Sequence, residues 1–189
     1  MIKKCRNVRF PAFFIFMEQH LCYNEEKQRE GMGMKLIFKQ RLFSWLDSYD
    51  IYDEQGNVVF TVKGELSFGH CLHILDSTGQ YVGTVKEKIL TFMPKFELYE
   101  GEQYRGCIQK EITFFRPRYR IDFNGWDVSG NMMEWDYEIQ DQNGLTVAIV
   151  SKDVFRFTDT YVLDIGLPQD SLYVVMLVLA IDAEKCSRD

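Results

Sequence analysis

The strongest constraint on the fold is a short segment that recurs four times between Lys39 and Asp164. Each copy has an aliphatic residue, an aromatic residue three positions on, a second aromatic residue four further and an aliphatic residue two beyond that. The copies begin at Leu42, Ile89, Ile112 and Val154. Their spacing indicates a repeated unit of about 23 residues, as expected when one supersecondary structure is used several times.

Turn signals separate the apolar stretches of these units. Asp-x-x-Gly occurs at residues 53–56, 76–79 and 141–144, and Glu100-Gly101 and Asn124-Gly125 fall between other stretches. In such a sequence the carboxylate accepts hydrogen bonds from nearby amides, and the glycine adopts a positive φ. The unit is therefore predicted to be strand, tight turn, strand.

Alternation of residue types favours strands over helices. From position 118 to position 123, polar Arg118, Arg120 and Asp122 alternate with apolar residues, and the segments beginning at 95 and 160 show the same period of two. About six hairpins fit between residues 35 and 166, which gives about twelve antiparallel strands. So many strands with one apolar face require a second sheet or closure into a barrel.

The C-terminal segment favours the barrel. A helix is predicted to start with Asp170 or Ser171 as its cap, and residues 172–181 are apolar without interruption. Such a helix has no polar face and must be covered on all sides, yet it is shorter than the roughly 20 residues of a membrane span. We therefore predict a mainly β fold, a closed antiparallel barrel of about twelve strands around a buried C-terminal helix, with all repeated residues pointing inward. The alternative is a helix between two sheets.

The first 33 residues do not share the repeat. We predict a leader at residues 1–33, a barrel domain at 34–184 and a tail at 185–189. The leader is basic and then apolar, but no small-x-small cleavage motif follows. Residues 29–34 can be encoded by a purine-rich run that resembles a bacterial ribosome-binding site. Our hypothesis is that translation starts at Met34 or Met32, and the alternative is a genuine leader that is disordered or touches a membrane.

Composition excludes several classes of protein. The net charge is −6, and because residues 1–33 hold six basic and four acidic side chains, the domain carries about −8. This acidic balance argues against general nucleic-acid binding. The five cysteines are odd in number, scattered and never in a C-x-x-C arrangement. They indicate neither a disulfide framework nor a zinc site, which favours a reducing cytoplasm.

Several separated motifs resemble one known family. Residues 34–45, 52–56, 86–94 and 178–182 are similar to the LURP-one-related family, in particular its bacterial YxjI-like branch. The resemblance implies the fold of the tubby C-terminal domain and the phospholipid scramblases, a closed twelve-stranded barrel around a buried helix. It implies no established enzymatic activity. Tubby relatives bind phosphoinositide headgroups through basic side chains, and scramblase relatives are membrane-associated and respond to calcium.

The best candidate site is a basic outer face. Arg116, Arg118 and Arg120 alternate along one strand and so share a face, and Lys95 holds the position equivalent to Arg118 in the neighbouring repeat. Guanidinium groups on one face can bind a phosphate through bidentate hydrogen bonds. The alternative is a solvated face whose arginines pair with carboxylates of neighbouring strands. The acidic candidates are Glu87, Glu97 and Asp122.

Two other clusters are weaker candidates. In a strand His73 shares a face with Cys71, opposite to His70, and no fourth ligand is evident, so no metal site is expected. Three carboxylates are predicted on one strand face, those of Glu134, Asp136 and Glu138. We interpret them as solvated charges of an edge strand rather than as a site. No segment has the order of acidic residues that an EF-hand calcium loop needs.

The predicted function is a non-enzymatic binding or scaffold module without a cofactor. Its expected partner is a protein or an anionic lipid surface, without nucleic acid and without a transmembrane span. Its expected location is the cytoplasm, peripheral to the membrane if the basic face binds lipid. The alternative is an enzyme of unrecognised type with a pocket at a barrel end, although the central helix would fill the volume that such a pocket needs.

Overall fold

The computed structural model describes residues 33–39, 48–67, 69–111, 118–152 and 160–186. Within these ranges the chain forms twelve β-strands, one α-helix and two short 3-10 turns, Met132–Glu134 and Pro168–Asp170. The strands are β1 (Met34–Lys39), β2 (Ser48–Asp53), β3 (Val58–Ser67), β4 (Gly69–Asp76), β5 (Tyr81–Glu87), β6 (Lys95–Glu100), β7 (Gln103–Glu111), β8 (Arg118–Phe123), β9 (Asp127–Asn131), β10 (Asp136–Gln140), β11 (Thr146–Lys152) and β12 (Thr160–Ile165). The helix is α1 (Ser171–Cys186).

The strands form one antiparallel sheet in the order β8-β7-β6-β5-β4-β3-β2-β1-β12-β11-β10-β9. Neighbouring strands in this order are also consecutive along the chain, with the exception of β1 and β12. These two strands pair from Met34 opposite Ile165 to Lys39 opposite Thr160. That pairing brings the first and last strands together. Within the described ranges no ladder joins β8 to β9, so the barrel is nearly closed. The predicted mainly β fold around a C-terminal helix is confirmed.

The predicted Asp-x-x-Gly turns are present at all three positions. In residues 53–56, 76–79 and 141–144 the glycine N–H donates to the aspartate carbonyl over 2.9 to 3.1 Å. The carboxylates of Asp76 and Asp141 also accept from amides two and four residues further along the chain. The three glycines have φ near +80°, a conformation in which a Cβ is unfavourable.

The helix lies inside the barrel because residues 172–181 leave it no polar face. All residues from 174 to 181 are at most 1% exposed. Eight consecutive buried residues cover more than two helical turns, so the helix is enclosed on every side. Inward-pointing aliphatic residues surround it, including Leu36, Ile51, Ile74 and Leu98. Each fully buried side chain of this size stabilises the fold by about 1.5–3 kcal/mol.

The expectation that every repeated residue points inward is wrong for the second copy. Its later pair, Phe96 and Leu98, is buried in β6, but Ile89 is 48% exposed and Phe92 is 89% exposed. These two residues lie in the loop between β5 and β6, where the alternation of a strand does not operate. The corresponding early residues of the other three copies fall outside the described residues.

The domain boundaries remain predictions. Almost all of the proposed leader, residues 1–32, and the end of the tail, residues 187–189, lie outside the described ranges. In the part of the chain that is described, no helix combines the length and the apolar character needed to cross a bilayer.

Candidate functional site

The predicted basic face lies on three neighbouring strands. Lys95 is the first residue of β6 and Arg120 the third of β8, and both pair in register with Gln109 of β7. Strands lie about 4.8 Å apart, so the Cα atoms of Lys95 and Arg120 are about 10 Å apart across one straight row. Arg118 pairs with Glu111 in the next row. Arg116 lies outside the described residues.

This row points away from the barrel axis. Phe96 and Ile108, which follow Lys95 and precede Gln109 along their strands, are each 1% exposed. Tyr119, which precedes Arg120, donates a hydrogen bond from its hydroxyl to the carboxylate of Glu184 in α1. Side chains alternate along a strand, so Lys95, Gln109 and Arg120 lie on the outer face, and Arg120 is exposed.

Two acidic residues expected to pair with the arginines are engaged by other side chains. Glu97 accepts from Lys88 Nζ at 2.9 Å and from the Tyr99 hydroxyl at 2.8 Å. Burial raises the pKa of Glu97, but these hydrogen bonds and the charges of Lys88 and Lys95 outweigh it, so the net shift of the pKa is downward.

Glu87, the other of these carboxylates, lies 2.7 Å from His70 Nδ1. In the part of the chain that the structure describes, no carboxylate lies within salt-bridge distance of Lys95 or Arg120. We call Lys95, Gln109 and Arg120 the basic row. Its two charged side chains are not paired with a carboxylate in the described part of the chain.

A charged cluster of a different kind lies inside the barrel, at the C-terminal end of α1. Glu184 is 1% exposed, and its carboxylate accepts from Lys110 Nζ at 2.9 Å and from the Tyr119 hydroxyl. Lys110 follows Gln109 along β7 and so points to the opposite face of the strand. A buried carboxylate with two donors forms a structural contact between helix and sheet.

Polar contacts also hold the N-terminal end of α1. The Tyr173 hydroxyl donates to Glu100 Oε2 at 2.8 Å and accepts from Arg105 Nη2 at 2.7 Å. Arg105 and Lys110 both belong to β7, five residues apart, whereas Tyr173 and Glu184 are eleven residues apart on the helix. Both separations correspond to about 17 Å. The helix therefore runs alongside β7 and is fixed to it at two points.

A second buried group lies near the end of the helix. Asp182 is partly exposed, but its Oδ1 is buried, and burial raises its pKa to about 6 against the opposing charge of Lys185. Lys185 Nζ lies 4.1 Å from the centroid of the Trp135 ring. Among the described residues neither Asp182 Oδ1 nor the Tyr137 hydroxyl has a hydrogen-bond partner. Burial raises the pKa of Tyr137 well above its ordinary value.

The histidine and cysteine cluster has the predicted orientation and one member that the sequence did not indicate. His73 Nε2 lies 3.8 Å from Cys71 Sγ, whereas His70 contacts Glu87. Glu65 of β3 adds a carboxylate 2.7 Å from His73 Nε2. Glu65 was missed because it is six residues before Cys71, and only the register of the β3–β4 hairpin places it opposite that residue.

The prediction of three carboxylates on one strand face is wrong. Glu134 belongs to the 3-10 turn Met132–Glu134, and Trp135 is in the left-handed conformation with φ of 57°. β10 begins only at Asp136. Because residues 132–135 form the turn that connects β9 to β10, Glu134 does not continue the alternation of Asp136 and Glu138.

Comparisons with known proteins agree with this architecture. A family model described as LURP-one-related matches residues 34–182. A Bacillus subtilis protein named "Uncharacterized protein YxjI" is 27% identical over 150 residues, which is 79% of this chain and 92% of that protein. A solved structure of an Arabidopsis thaliana protein has a TM-score of 0.53 at 15% identity and covers 80% of this chain and 92% of its own. At that identity the similarity shows the fold, a tubby-like barrel with a single C-terminal helix.

Proposed function

Because the chain belongs to the LURP-one-related family, and its Bacillus relative is named as uncharacterized, we propose a function from the geometry of the outer face. The protein is a non-catalytic binding module. Its face on β6–β8 recognises phosphate groups at an anionic lipid surface. The observation that carries this proposal is the row of Lys95, Gln109 and Arg120, which has no carboxylate within salt-bridge distance among the described residues.

The donors in this row suit a phosphate group. The guanidinium of Arg120 presents parallel N–H donors that match two oxygens, and Lys95 supplies a compact positive charge. Gln109 lies between them and its side-chain amide adds neutral donors. Backbones about 10 Å apart place the two charged ends close enough to converge on one phosphate, since both side chains are long and flexible.

The filled interior supports a binding role rather than catalysis. Catalytic barrels hold substrate in a concave pocket lined by converging polar groups. Here the axis is occupied by residues 174–181, which are all buried apolar side chains. Lys110 and Glu184, near the C-terminal end of the helix, are engaged in a hydrogen bond with each other. Binding of a phosphate group on the outer face requires no rearrangement of this interior.

The acidic balance of the domain sets the conditions for binding. A domain charge of about −8 opposes approach to an anionic surface at low salt. At physiological ionic strength charges more than about 8 Å apart are largely screened, so the local row dominates once the face is in contact. We expect binding to be weak and strongly dependent on headgroup charge.

Vesicle flotation tests the proposal. The full chain is mixed with neutral vesicles and with vesicles containing phosphorylated inositol lipids, and the floated fraction is measured. We expect flotation with the charged vesicles only, and loss of flotation for Lys95→Glu/Arg120→Glu. The matched control is Lys35→Glu/Lys152→Glu, which makes the same change in net charge on strands β1 and β11 and should retain flotation.

Two results would contradict the proposal: no flotation of the unaltered chain, or equal flotation of the Lys95→Glu/Arg120→Glu variant. A protein partner on the same face is the other outcome to measure. Affinity purification from the native cell, with a chain that begins at Met34 and with the same charge-reversed variant, would identify a protein whose capture depends on these two residues.

A further inference from the structure

Three side chains with different ligand chemistry meet on the outer wall of the β3–β4 hairpin. Glu65 of β3 pairs directly with Cys71 of β4, and His73 lies two residues further along β4 on the same face. The carboxylate oxygen, the sulfur and the imidazole nitrogen all lie within 4.8 Å of one another. Three strands lie between β4 and Arg120 of β8, and β5 separates β4 from Lys95 of β6, so the cluster shares no residue with the proposed headgroup face.

The imidazole of His73 is held in place by the neighbouring strand. His73 Nδ1 lies 3.1 Å from Thr84 Oγ1 of β5, and Thr84 is only 6% exposed. The Thr84 hydroxyl also contacts the Tyr81 hydroxyl, and the Tyr81 ring meets the His73 ring edge-on at 5.6 Å between centroids. These contacts direct Nε2 toward Glu65 and Cys71. A hydrogen bond to the ring nitrogen that does not bind the metal fixes the ring orientation of a metal-binding histidine.

We propose that Glu65, Cys71 and His73 form a zinc site in which the fourth coordination position is open to water or to a ligand from outside. In a tetrahedral zinc site with ordinary bond lengths, the nitrogen and sulfur ligands are about 3.6 Å apart and the nitrogen and oxygen ligands about 3.4 Å apart. The observed nitrogen–sulfur distance is 3.8 Å and the nitrogen–oxygen distance is 2.7 Å.

Only the carboxylate must move to reach this geometry. Glu65 has to retreat by about 0.7 Å from His73, which is the difference between the tetrahedral separation and the observed contact. Its side chain is 58% exposed, which leaves room for this movement. Cys71 and His73 are already at the separation that the metal requires.

The donor set selects the class of metal. A thiolate and an imidazole suit zinc and similar transition metals, whereas calcium and magnesium prefer sets made entirely of oxygen. Zinc with one thiolate and one carboxylate is electrically neutral. The positive charge of the zinc ion also removes the repulsion between Glu65 and an ionised Cys71.

The surroundings of the cysteine affect affinity in two directions. Burial raises the pKa of the Cys71 thiol, and the charge of Glu65 adds to this. Lys86, the register partner of Cys71 on β5, opposes the increase. A bound metal ion deprotonates a coordinating thiol outright. The same lysine lies beside the metal and reduces its affinity, so we expect reversible rather than permanent binding.

Cobalt spectroscopy of the full chain tests the site. Co²⁺ replaces Zn²⁺ in such sites, and a thiolate ligand gives a charge-transfer band in the near ultraviolet. We expect this band at one equivalent of Co²⁺, its displacement by one equivalent of Zn²⁺, and its loss in Cys71→Ser. The matched control is Cys107→Ser, which removes the other described buried cysteine and should leave the band intact.

Variants of the other residues separate ligation from folding. His73→Gln should abolish the band while the far-ultraviolet circular dichroism stays that of the unaltered chain. Thr84→Val should keep the band but weaken zinc binding by about 10–100-fold in competition with a chelator, because Thr84 only orients the ring. His70→Gln, on the opposite face, should change neither quantity. Absence of the band in the unaltered chain, or its persistence in Cys71→Ser, would overturn the proposal.

Discussion

Lys110 and Arg120 lie on neighbouring strands, yet their charges have opposite surroundings. Lys110 points inward, its side chain is 17% exposed, and it is bound to a carboxylate that is 2% exposed. Arg120 points outward, is exposed, and has no carboxylate within salt-bridge distance in the described part of the chain. The period of two in a strand thus assigns basic residues to two roles. Lys110 fixes the helix from inside the barrel, whereas Arg120 stays on the outer face without such a contact.

The largest effect on the free energy of unfolding is expected for Lys110 and Glu184, the charged pair inside the barrel. Glu184→Leu removes the acceptor of Lys110 and Tyr119 and leaves a buried ammonium without its counter-charge. Loss of one partner of a buried pair costs about 3–5 kcal/mol of unfolding free energy. Urea denaturation followed by circular dichroism measures it.

Two controls accompany this variant. Lys110→Met/Glu184→Leu should recover most of the loss, because both charges are then absent. Lys35→Met, which removes an exposed lysine 3.8 Å from Glu54 and Asp164, should cost no more than about 1 kcal/mol. If Glu184→Leu costs no more than Lys35→Met, the inner charges are not structural and the distinction between the two faces fails.

The pH dependence of stability caused by Asp182 gives a second test of the charges inside the barrel. Its pKa rises from 3.8 to about 6 on folding, so the folded protein binds this proton more tightly than the unfolded chain. The native state therefore loses up to about 3 kcal/mol of stability as the pH rises from about 4 to above 6. Asp182→Asn has no such proton, and its stability relative to the unaltered chain should increase over that pH range.

The measurement is the difference in unfolding free energy between Asp182→Asn and the unaltered chain at several pH values. Below about pH 3 both the unfolded and the folded chain carry a mostly protonated Asp182, so this range is the internal reference. A difference that stays constant from pH 4 to pH 8 would show that Asp182 is not desolvated, contrary to its position near Lys185 and Tyr137.

A substitution that fills the space between the helix and β5 should have a smaller effect on the free energy of unfolding. A Cβ on Gly83 of β5 would lie 2.9 Å from Met176 Cε and 3.2 Å from the Tyr99 carbonyl oxygen. Gly83→Val therefore overpacks the contact between sheet and helix and should cost about 1–3 kcal/mol. Thermal unfolding measures it, with Lys86→Val on the outer face of the same strand as the control. Equal melting temperatures for the two variants would mean that the helix does not pack closely against β5.

Elements that depend on local sequence were predictable, and contacts that depend on register were not. The Asp-x-x-Gly turns and the alternating strands follow from neighbouring residues alone, and the apolar run 172–181 required a helix that is covered on all sides. The contact of Lys110 with Glu184 spans 74 residues. It requires the relative position of helix and β7, which no local pattern specifies.

The failures have equally specific causes. Ile89 and Phe92 repeat the spacing of inward residues but lie in a loop, and apolar composition does not distinguish these positions. Glu134 is separated from β10 by the left-handed Trp135, a conformation that is uncommon for such a residue. Glu65 joins Cys71 only through the β3–β4 register, in a hairpin that has no Asp-x-x-Gly signal.

The smallest expected effect on stability belongs to the outer face. Arg120→Gln keeps a polar side chain on an exposed strand position and removes no salt bridge to a described carboxylate. The free energy of unfolding should change by less than about 0.5 kcal/mol, as is usual for surface substitutions. Urea denaturation measures this change beside Glu184→Leu. The same variant should bind anionic vesicles less well, because the row then has one charge instead of two. A destabilisation approaching that of Glu184→Leu would mean that Arg120, like Lys110, is part of the folded framework, and the outer row would no longer be a free binding surface.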